Sequence, residues 1–476
     1  MEGDCPGRRP GFTRRQMIVG GAAATVAAAG WAASPVARAD NIGGLRSAVR
    51  GRVWLPSDPE FERAKTPWLL TVDQSVRAVV HVADDQDAAA LIGFAADHGV
   101  ALSTQPTGHG ASSAANGTIL VRTGALDRLA IDPGARLARV GAGVSWGSVQ
   151  SAAAPHGLTG VAGSSPGVGV TGYTLGGGLS WFGRAHGWAA GSVSSLDIVD
   201  AAGQPRRVTA DSDPDLFWAL RGGGGDFAFV TGLEFGLKPA PAVYGGRMTW
   251  PADRAESVFA AFDDVTSRAP DELSVWYVLS QFPGAPPAVG IYCAFLGGSD
   301  EGRQLLAPFD GVGNVIEDNR RMLSPAELGS ISAEPEHPSA ALQRGTLITD
   351  LSPSIIAEVL STPLSPLMYL QVRQLGGQLT EPVDIAADPL TARYYMQMGG
   401  IRTAPSSVAA VADKMTQIGD LLASVDTHRT PFNFLNESQT AADAFADTTL
   451  ERLRAVKTRH DPAGVFRSNF GVNQRR

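Results

Sequence analysis

Hydrophobic and polar positions form a strand–helix–strand pattern ahead of the first glycine-rich turn of the chain. Residues 78–82 are a β-branched run that is typical of a strand. Asp84 then fits a helix N-cap, and apolar residues recur at helical spacing until Gly99, a favoured residue for ending a helix. A second strand over 100–103 leads into the turn 106–110, Pro-Thr-Gly-His-Gly. Such a turn can present backbone N–H groups to a bound anion, although by itself this is a weak signal.

Two further glycine-rich stretches lie between predicted strands and helices. Gly141, Gly143 and Gly147 approach the dinucleotide-binding pattern, but the third glycine falls one residue late, so we do not predict a Rossmann fold. The denser glycine block at 163–178 favours close approach of backbone to a large planar or anionic ligand over a tight packing turn. The surrounding pattern predicts strands at 118–122, 129–131, 136–140 and 193–200, and helices at 146–154 and 213–220.

The character of the chain changes near Pro239. Proline-rich linkers alternate with aromatic strand-like runs at 273–279 and 289–295 and with helices around Ala255 and Val408. This mixture indicates a separate α+β domain, and a basic helix follows it near the end of the chain.

Composition excludes several classes of function. The formal net charge of -8, without a long cluster of Lys and Arg, argues against a nucleic-acid partner. Of the two cysteines, Cys5 would be removed with a leader segment, which leaves Cys293 without a partner for a disulfide or a Cys-based metal site. The eight histidines include no His-x-x-x-His pair, so a metal hydrolase is disfavoured.

The first 39 residues have the features of an export signal. Arg14 and Arg15 precede an apolar, alanine-rich run over 17–33, and an Ala-x-Ala cleavage site at 37–39 follows before Asp40. The paired arginines suggest the twin-arginine route, which moves folded proteins. The run is too short and glycine-rich for a stable membrane anchor, although an uncleaved anchor helix is the alternative. We therefore predict an exported protein, periplasmic or extracellular.

Four motifs occur in an order that resembles one enzyme family. They are Thr107-Gly108-His109, the glycine block, the run Asp-Leu-Phe-Trp-Ala-Leu-Arg-Gly-Gly-Gly-Gly at 215–225, and residues 457–466. In this succession the chain resembles the berberine-bridge-enzyme-like branch of the vanillyl-alcohol-oxidase, or PCMH-type, FAD-binding oxidoreductases.

The resemblance implies an α+β fold in four parts. A PCMH-type FAD-binding domain of two α/β subdomains would occupy 40–240, after the signal at 1–39. A substrate domain, an antiparallel sheet backed by helices, would be inserted at 241–430, and 431–476 would return to the FAD domain.

The resemblance also implies the cofactor and its attachment. In the family, a His at the position of His109 is bonded to the 8α-methyl of the flavin. Ser165 stands where relatives with two links carry Cys, so the expected attachment is single. Val168 matches the position that controls oxygen access, and its small side chain favours an oxidase. The FAD-binding residues expected on this basis are Pro106, Thr107, Gly108, His109, Gly110, Ala111, Ser165, Val168, Gly169, Gly172, Tyr173, Gly176, Gly177, Val230 and Asn469.

The catalytic base is the point at which the chain departs from the family. Relatives carry a Tyr two residues before an Asn-Phe or Asn-Tyr pair, whereas Pro431 precedes Asn433-Phe434 here. Either another strand supplies the base or the oxidation needs no strong protein base. Tyr369, Tyr394 and Tyr395 are the candidates, on strand-like runs expected to face the pocket, although each is also compatible with a core aromatic. On the strand of Tyr369, alternation places Gln371 and Arg373 on the same face, where they could bind a polar substrate.

The function expected from the resemblance is an exported FAD-dependent oxidase acting on a small molecule. Hydride would pass from a C–H of a sugar, another alcohol or an aromatic metabolite to flavin N5, and O2 would then be reduced to hydrogen peroxide. Two alternatives stay open: a dehydrogenase with another acceptor, and a flavin-binding protein without turnover, which the loss of the Tyr at position 431 would favour. The sequence leaves the substrate and the oligomeric state undecided.

Overall fold

Three main sheets organise the protein, for which a computed structural model describes residues 42–474. The predicted export signal at 1–39 lies outside the described residues. The first sheet and its helices consist of β1 (Arg52–Trp54), β2 (Ala78–His81), β3 (Leu102–Thr104), β4 (Ile119–Arg122), α1 (Leu45–Ala48), α2 (Phe61–Lys65) and α3 (Asp85–His98). The strand order is β1-β2-β4-β3, with β4 parallel to both β2 and β3 and β1 antiparallel to β2.

Helix α3 has the ends that its sequence predicts. The Asp84 carboxylate accepts a hydrogen bond from the Asp87 N–H at 2.9 Å, which satisfies one of the free donors at the helix start. Gly99 ends the helix in the left-handed conformation, with φ of 63°. Leu91 and Ile92 are fully buried in the core beside the first sheet. The predicted strand–helix–strand unit is therefore confirmed.

The second sheet is antiparallel and carries the glycine block beside it. Its elements are β5 (Leu129–Asp132), β6 (Leu137–Gly141), β7 (Leu158–Thr159), β8 (Val193–Val199), β9 (Pro205–Val208), β10 (Phe229–Gly236), β11 (Lys238–Pro239), α4 (Trp146–Ala153), α5 (Val170–Leu175), α6 (Gly183–His186) and α7 (Pro214–Ala219). Five strands form the order β5-β6-β10-β8-β9, and β7 pairs separately with β11. Helix α5 lies inside the glycine block, for which the sequence predicted a close approach of backbone to a ligand but no helix.

The third sheet is also antiparallel and begins just after Pro239. Its elements are β12 (Val243–Pro251), β13 (Leu273–Ser280), β14 (Ala288–Phe295), β15 (Glu317–Asp318), β16 (Arg321–Leu323), β17 (Ala341–Ile348), β18 (Tyr369–Gln374), β19 (Tyr394–Ile401), α8 (Ala255–Arg268), α9 (Ser299–Leu305), α10 (Ala307–Asp310), α11 (Gly329–Ser332), α12 (Pro353–Ser361) and α13 (Pro405–Leu421). The order is β15-β12-β14-β13-β18-β19-β17, with β16 on β12.

Helices α8, α12 and α13 pack on one face of this sheet through a shared apolar core. Cys293 is buried in that core, as expected for a structural residue. Short 3-10 helices occupy Ser113–Ala115, Ala154–His156, Ala189–Ser192, Ala252–Arg254, Pro325–Glu327, Gly377–Leu379, Phe432–Phe434 and Ala441–Asp443. The architecture confirms the predicted α+β fold class. The bounds 40–240, 241–430 and 431–476 stay a prediction, because the described residues form one unit by their contacts.

The segment after the third sheet returns to the first two sheets through α14 (Asp447–His460). The Lys457 ammonium is buried and lies 2.8 Å from Asp461 Oδ2 and 2.5 Å from the Asp226 carbonyl oxygen. Beyond the helix, the Val465 carbonyl accepts a hydrogen bond from the Leu102 N–H of β3 at 2.7 Å. Removing one partner of such a buried ionic cluster costs about 3–5 kcal/mol of folding free energy. The Lys457 cluster therefore holds the returning segment firmly in place.

Candidate active site

The predicted turn at 106–110 holds His109 in a half-buried position. Its imidazole stacks on the Trp68 indole with ring centroids 4.4 Å apart and an interplanar angle of 15°. Nδ1 lies 2.8 Å from Thr107 Oγ1, whereas Nε2 is buried and has no hydrogen-bond partner among the described residues. Burial lowers the pKa of His109 to about 4. The ring is therefore neutral at ordinary pH and has one nitrogen available for a ligand.

Backbone contacts hold this turn against the segment that carries Trp68. The Trp68 N–H donates to the Thr107 carbonyl at 3.1 Å, and the Leu69 N–H donates to the Gly108 carbonyl at 3.3 Å. Gly108 has φ of +80°, and a Cβ there would lie 2.7 Å from Pro67 Cβ. Only glycine fits this position, because the conformation and the close approach both exclude a side chain.

The glycine block meets the turn from the other side. A Cβ on Gly169 would lie 3.4 Å from Pro106 Cβ, so the two predicted cofactor segments are adjacent. A Cβ on either Gly110 or Gly172 would meet no atom of the described residues within 4 Å, which indicates space beside both positions. These open positions are where a bound planar group can approach the backbone.

The end of the block is fixed by the Asn-Phe pair that the sequence singled out. Asn433 Oδ1 accepts a hydrogen bond from the Gly178 N–H at 2.8 Å, and a Cβ on Gly176 would lie 2.4 Å from Asn433 Nδ2. Gly177 adopts φ of +104°. Pro431 immediately precedes the 3-10 helix that contains Asn433, and a proline side chain offers no proton acceptor there.

The remaining predicted cofactor residues lie in different surroundings. Asn469 Oδ1 accepts from Gln105 Nε2 at 2.9 Å, and the buried Oε1 of Gln105 has no partner among the described residues. Val168 is half-buried against the second-sheet core, and its N–H lies 3.4 Å from the Ser165 carbonyl oxygen. Val230 lies within that core and is 4% exposed, while Ala111, beside the turn, is 2% exposed.

These residues fit a bound FAD. A neutral imidazole with a free nitrogen, an unsatisfied buried amide oxygen and two glycines bordering open space are the features that a planar cofactor with polar groups requires. In residues 42–474 no group of three His, Cys, Asp or Glu side chains is arranged to hold a metal ion.

A polar face of the third sheet completes the site. Tyr369, Gln371 and Arg373 of β18 share this face with Tyr395 and Gln397 of β19, because Arg373 pairs with Tyr395 and Gln371 pairs with Gln397. The predicted alternation of Tyr369, Gln371 and Arg373 on one face is therefore confirmed.

Arg373 is the central group of this face and is 8% exposed. Its Nε donates to Gln371 Oε1 at 2.6 Å, and its Nη2 donates to Gln397 Oε1 at 3.0 Å. The guanidinium lies 4.0 Å from the centroid of the Trp276 ring and 5.2 Å from that of Phe434. Within residues 42–474 no carboxylate forms an ion pair with Arg373; amide oxygens and aromatic faces contact its guanidinium, and Glu334 stabilises its charge at longer range.

Arg373 also lies within electrostatic reach of the glycine block. Burial raises the pKa of Tyr173, and the charge of Arg373 acts in the opposite direction. The Tyr173 hydroxyl donates to the Val161 carbonyl at 3.1 Å, and its ring lies against Gly163 and Gly178. The polar sheet face and the predicted flavin-binding block therefore belong to one site.

The three tyrosines proposed as bases do not share one pocket. Tyr369 and Tyr395 lie on the polar face, and the Tyr395 hydroxyl is buried without a partner among the described residues. Burial raises the pKa of both, opposed by Arg373, so both hydroxyls are neutral. Tyr394 lies on the opposite face, with its hydroxyl 3.5 Å from Asp263 Oδ1. The expectation that Tyr394 faces the pocket is wrong, because adjacent strand residues point to opposite faces.

Sequence reasoning missed Trp68 and Trp276, which stack on the two functional side chains of the site. No local motif marks either tryptophan, because each reaches its partner only through the fold. For Trp276 a weak signal existed, since it lies in a predicted strand of the inserted domain.

Comparisons with known proteins agree with this geometry. A family model described as an FAD binding domain matches residues 76–209. The chain is 24% identical over 454 residues to the (R)-6-hydroxynicotine oxidase of Paenarthrobacter nicotinovorans, covering 90% of this chain and 97% of that protein.

Solved structures show the same fold. The BBE-like 1 protein of Physcomitrella patens superposes with a TM-score of 0.80 at 19% identity, covering 90% of this chain and 98% of that one. The xylooligosaccharide oxidase of Myceliophthora thermophila C1 superposes with a TM-score of 0.77 at 20% identity, covering 91% of this chain and 99% of that one.

Fold and site together define an FAD-dependent oxidoreductase. The chain carries an FAD binding domain and has the fold of berberine-bridge-enzyme-like, PCMH-type oxidoreductases. The predicted fold and the predicted cofactor, FAD, are confirmed, and the comparisons support the predicted family.

Proposed function

We propose that this chain is an oxidase of a small-molecule alcohol, with FAD attached covalently through Nε2 of His109. Bound FAD supplies the two-electron chemistry, accepting hydride from a substrate carbon and passing electrons to dioxygen to form hydrogen peroxide. Two relatives described above are named as oxidases, which supports dioxygen as the acceptor. The half-buried, small Val168 is compatible with oxygen access.

The observation that carries the proposal is the buried charge of Arg373, which forms no ion pair among the described residues and lies 5.7 Å from the centroid of the Tyr395 ring. Arg373 binds the substrate oxygen and stabilises negative charge that develops on it as the C–H bond breaks. Tyr395, the candidate base, holds its proton in the resting site and orients the substrate hydroxyl. Only the deprotonated form of Tyr395 can accept the hydroxyl proton as the hydride leaves, and burial makes that form rare because it raises the pKa of Tyr395.

Attachment through His109 rests on three observations. The imidazole is neutral, its Nε2 is free among the described residues, and the Thr107 hydroxyl and the Trp68 ring fix its orientation. A neutral, positioned nitrogen is the form of histidine that can form a bond to carbon.

The attachment is tested by substituting His109→Ala, with the exposed His428→Ala as the matched control. Acid-denatured wild type and His428→Ala should retain yellow colour and flavin fluorescence in a denaturing gel, whereas His109→Ala should release the flavin completely. A colourless wild-type pellet would refute the covalent bond while leaving FAD binding itself untouched.

Oxidase activity is tested by anaerobic reduction followed by air. A substrate should bleach the bound flavin, and air should restore the colour within seconds with one hydrogen peroxide formed per flavin. Slow recovery in air with rapid recovery by a quinone would indicate the dehydrogenase alternative. If no sugar, alcohol or aromatic compound bleached the flavin, the alternative of a protein without turnover would be favoured.

We also propose export by the twin-arginine route, which the pattern from Arg14 to Ala39 supports. Replacing Arg14 and Arg15 together by Lys should keep the protein inside the cell, as measured by fractionation. Unchanged export of that variant would overturn the route.

A further inference from the structure

A small cavity of about 10 Å³ lies between the end of the glycine block and the polar face of the third sheet. Its wall includes residues 179–180, which follow the block, and Arg184 of α6. Ser274 and Trp276 of β13 and Arg373 of β18 also line it. A space of this size holds one water molecule or one ion of similar size, and a cavity with polar walls does not stay empty.

The strand register holds the polar groups of this wall side by side. Trp276 pairs with Arg373 across β13 and β18, and Ser274, two residues before Trp276, lies on the same face of β13. Ser274 is 4% exposed and Arg373 is 8% exposed, so both are more than nine-tenths buried. The Trp276 ring stacks on Trp181 with centroids 3.6 Å apart, which fixes this part of the wall.

Two hydrogen-bond donors of the wall lack an acceptor. Nε and Nη2 of Arg373 donate to Gln371 and Gln397, which leaves Nη1 without a partner among the described residues. The Ser274 hydroxyl likewise has no partner in residues 42–474, and both atoms retain accessible surface. An occupant of the cavity can therefore reach both donors.

The other polar side chains of the wall already have partners. Ser180 Oγ donates to the Ala162 carbonyl at 2.6 Å and accepts from the Phe182 N–H at 3.0 Å. Gln374 Oε1 accepts from the Val275 N–H at 3.3 Å. In the part of the chain that the structure describes, no carboxylate lines the cavity. The occupant must therefore bring the acceptor for the two free donors.

The charge of the wall decides between a water molecule and an anion. Arg184 is 7% exposed, and it donates to the Leu273 carbonyl at 3.0 Å and pairs with Asp271 at 3.3 Å. Arg373 forms no ion pair among the described residues, and Glu334 stabilises its charge only at longer range. A water molecule would satisfy the two donors but leave the charge of Arg373 uncompensated, whereas an anion does both.

We propose that this cavity binds one small monovalent anion of the size of chloride, held by Nη1 of Arg373 and the Ser274 hydroxyl. The anion compensates the buried charge of Arg373 in the resting protein. Its binding does not depend on the oxidase function. Its effect on turnover does, because the anion competes with the negative charge that develops on the substrate oxygen, so chloride should lower kcat/KM.

The test uses purified holoenzyme in sodium gluconate, with sodium chloride or bromide replacing gluconate at constant ionic strength. Gluconate is too large for the cavity. The midpoint of thermal unfolding should rise with the concentration of chloride or bromide, because an ion that binds only the folded protein stabilises it. Crystals soaked in bromide should show an anomalous scattering peak beside Nη1 of Arg373. No rise of the midpoint, or a cavity that holds only water, would overturn the proposal.

Variants separate the proposed site from general salt effects, which all forms of the protein share. Arg373→Met should abolish the chloride response. Ser274→Ala keeps the charge and should weaken chloride binding by about tenfold, because one hydrogen bond to the ion is lost. Ser195→Ala is the matched control, since Ser195 is 3% exposed on β8 and does not line the cavity, and it should bind chloride as wild type does.

Equal chloride affinity in Ser274→Ala and Ser195→Ala would contradict the assignment. Chloride binding that leaves kcat/KM unchanged would support the anion site and refute the role of the Arg373 charge in the reaction. Chloride binding to a protein whose flavin no compound bleaches would support the anion site and refute the oxidase function.

Discussion

The two ends of the active site, the anchor turn around His109 and the sheet face around Arg373, are built by different means. At the anchor turn, backbone and glycines leave space, and one imidazole is kept neutral by burial, its pKa lowered to about 4. On the sheet face, side chains from neighbouring strands surround a buried charge that forms no ion pair among the described residues and that Glu334 stabilises only at longer range. The anchor turn is suited to holding a cofactor, whereas the sheet face is suited to meeting charge that forms during reaction.

The largest effect should come from removing the charge of the sheet face by Arg373→Met. Methionine retains much of the packing on Trp276, but the variant cannot stabilise negative charge on the substrate oxygen. We expect kcat/KM to fall by about 100- to 1000-fold with the flavin still attached. Steady-state kinetics with flavin absorbance as a reference measures this change.

Arg393→Met provides the control on the other face of the sheet. Arg393 pairs with Asp263 and Asp350 at the surface and lies over the Tyr394 ring. Its removal should leave kcat/KM within about twofold, because exposed ion pairs contribute little. Equal losses of kcat/KM in Arg373→Met and Arg393→Met would show that the buried charge of the sheet face has no special role in the reaction.

The next effect separates two tyrosines that are neighbours in sequence. Tyr395→Phe removes the unpartnered hydroxyl on the polar face and should lower kcat by about 100-fold, the low end of the range for a general base. Tyr394→Phe removes a hydroxyl on the helix-covered face and should leave kcat unchanged. In wild type and Tyr394→Phe, kcat should rise with pH, because only deprotonated Tyr395 accepts a proton, and this rise should be lost in Tyr395→Phe; a similar profile in both variants would contradict the assignment.

The smallest effect concerns the pH dependence of the anchor turn. A histidine with the ordinary pKa of about 6.5 would be only about one-tenth neutral at pH 5.5, so attachment of FAD would slow roughly tenfold between pH 7.5 and pH 5.5. Burial lowers the pKa of His109 to about 4, so the reactive neutral form is lost only below that pH. Attachment of FAD to flavin-free protein, followed by in-gel fluorescence, should therefore change less than about twofold over this interval. A tenfold fall would show that His109 titrates normally.

The two ends also differ in how far the sequence predicts them. The anchor turn is a local motif, so Thr107, Gly108 and His109 could be located from the order of residues alone, and Asp84 and Gly99 marked the ends of the preceding helix. Trp68 could not be found, because it reaches His109 only through backbone pairing with the turn.

The sheet face was predicted only in part. Alternation correctly grouped Tyr369, Gln371 and Arg373, but neighbouring strands supply Trp276 and Gln397, and strand order is a long-range property. Tyr394 was misplaced although the period of two already separates it from Tyr395. A cavity of about 440 Å³ between segments 387–392, 427–432 and 444–446 had no sequence signal, since its wall combines loops that are distant in the chain.

The returning segment with Lys457 has a consequence for the order of synthesis. Between Gly236 and Asp447 lie about 200 residues, which a ribosome adds in about 10–40 s at roughly 5–20 residues per second. During that interval β3 lacks its contact with Val465, and the Asp226 region lacks the Lys457 ammonium. The cofactor pocket is therefore completed late, after the whole third sheet has been made. If the chain crosses the membrane folded, as proposed, it captures FAD in the short period between completion of the returning segment and export.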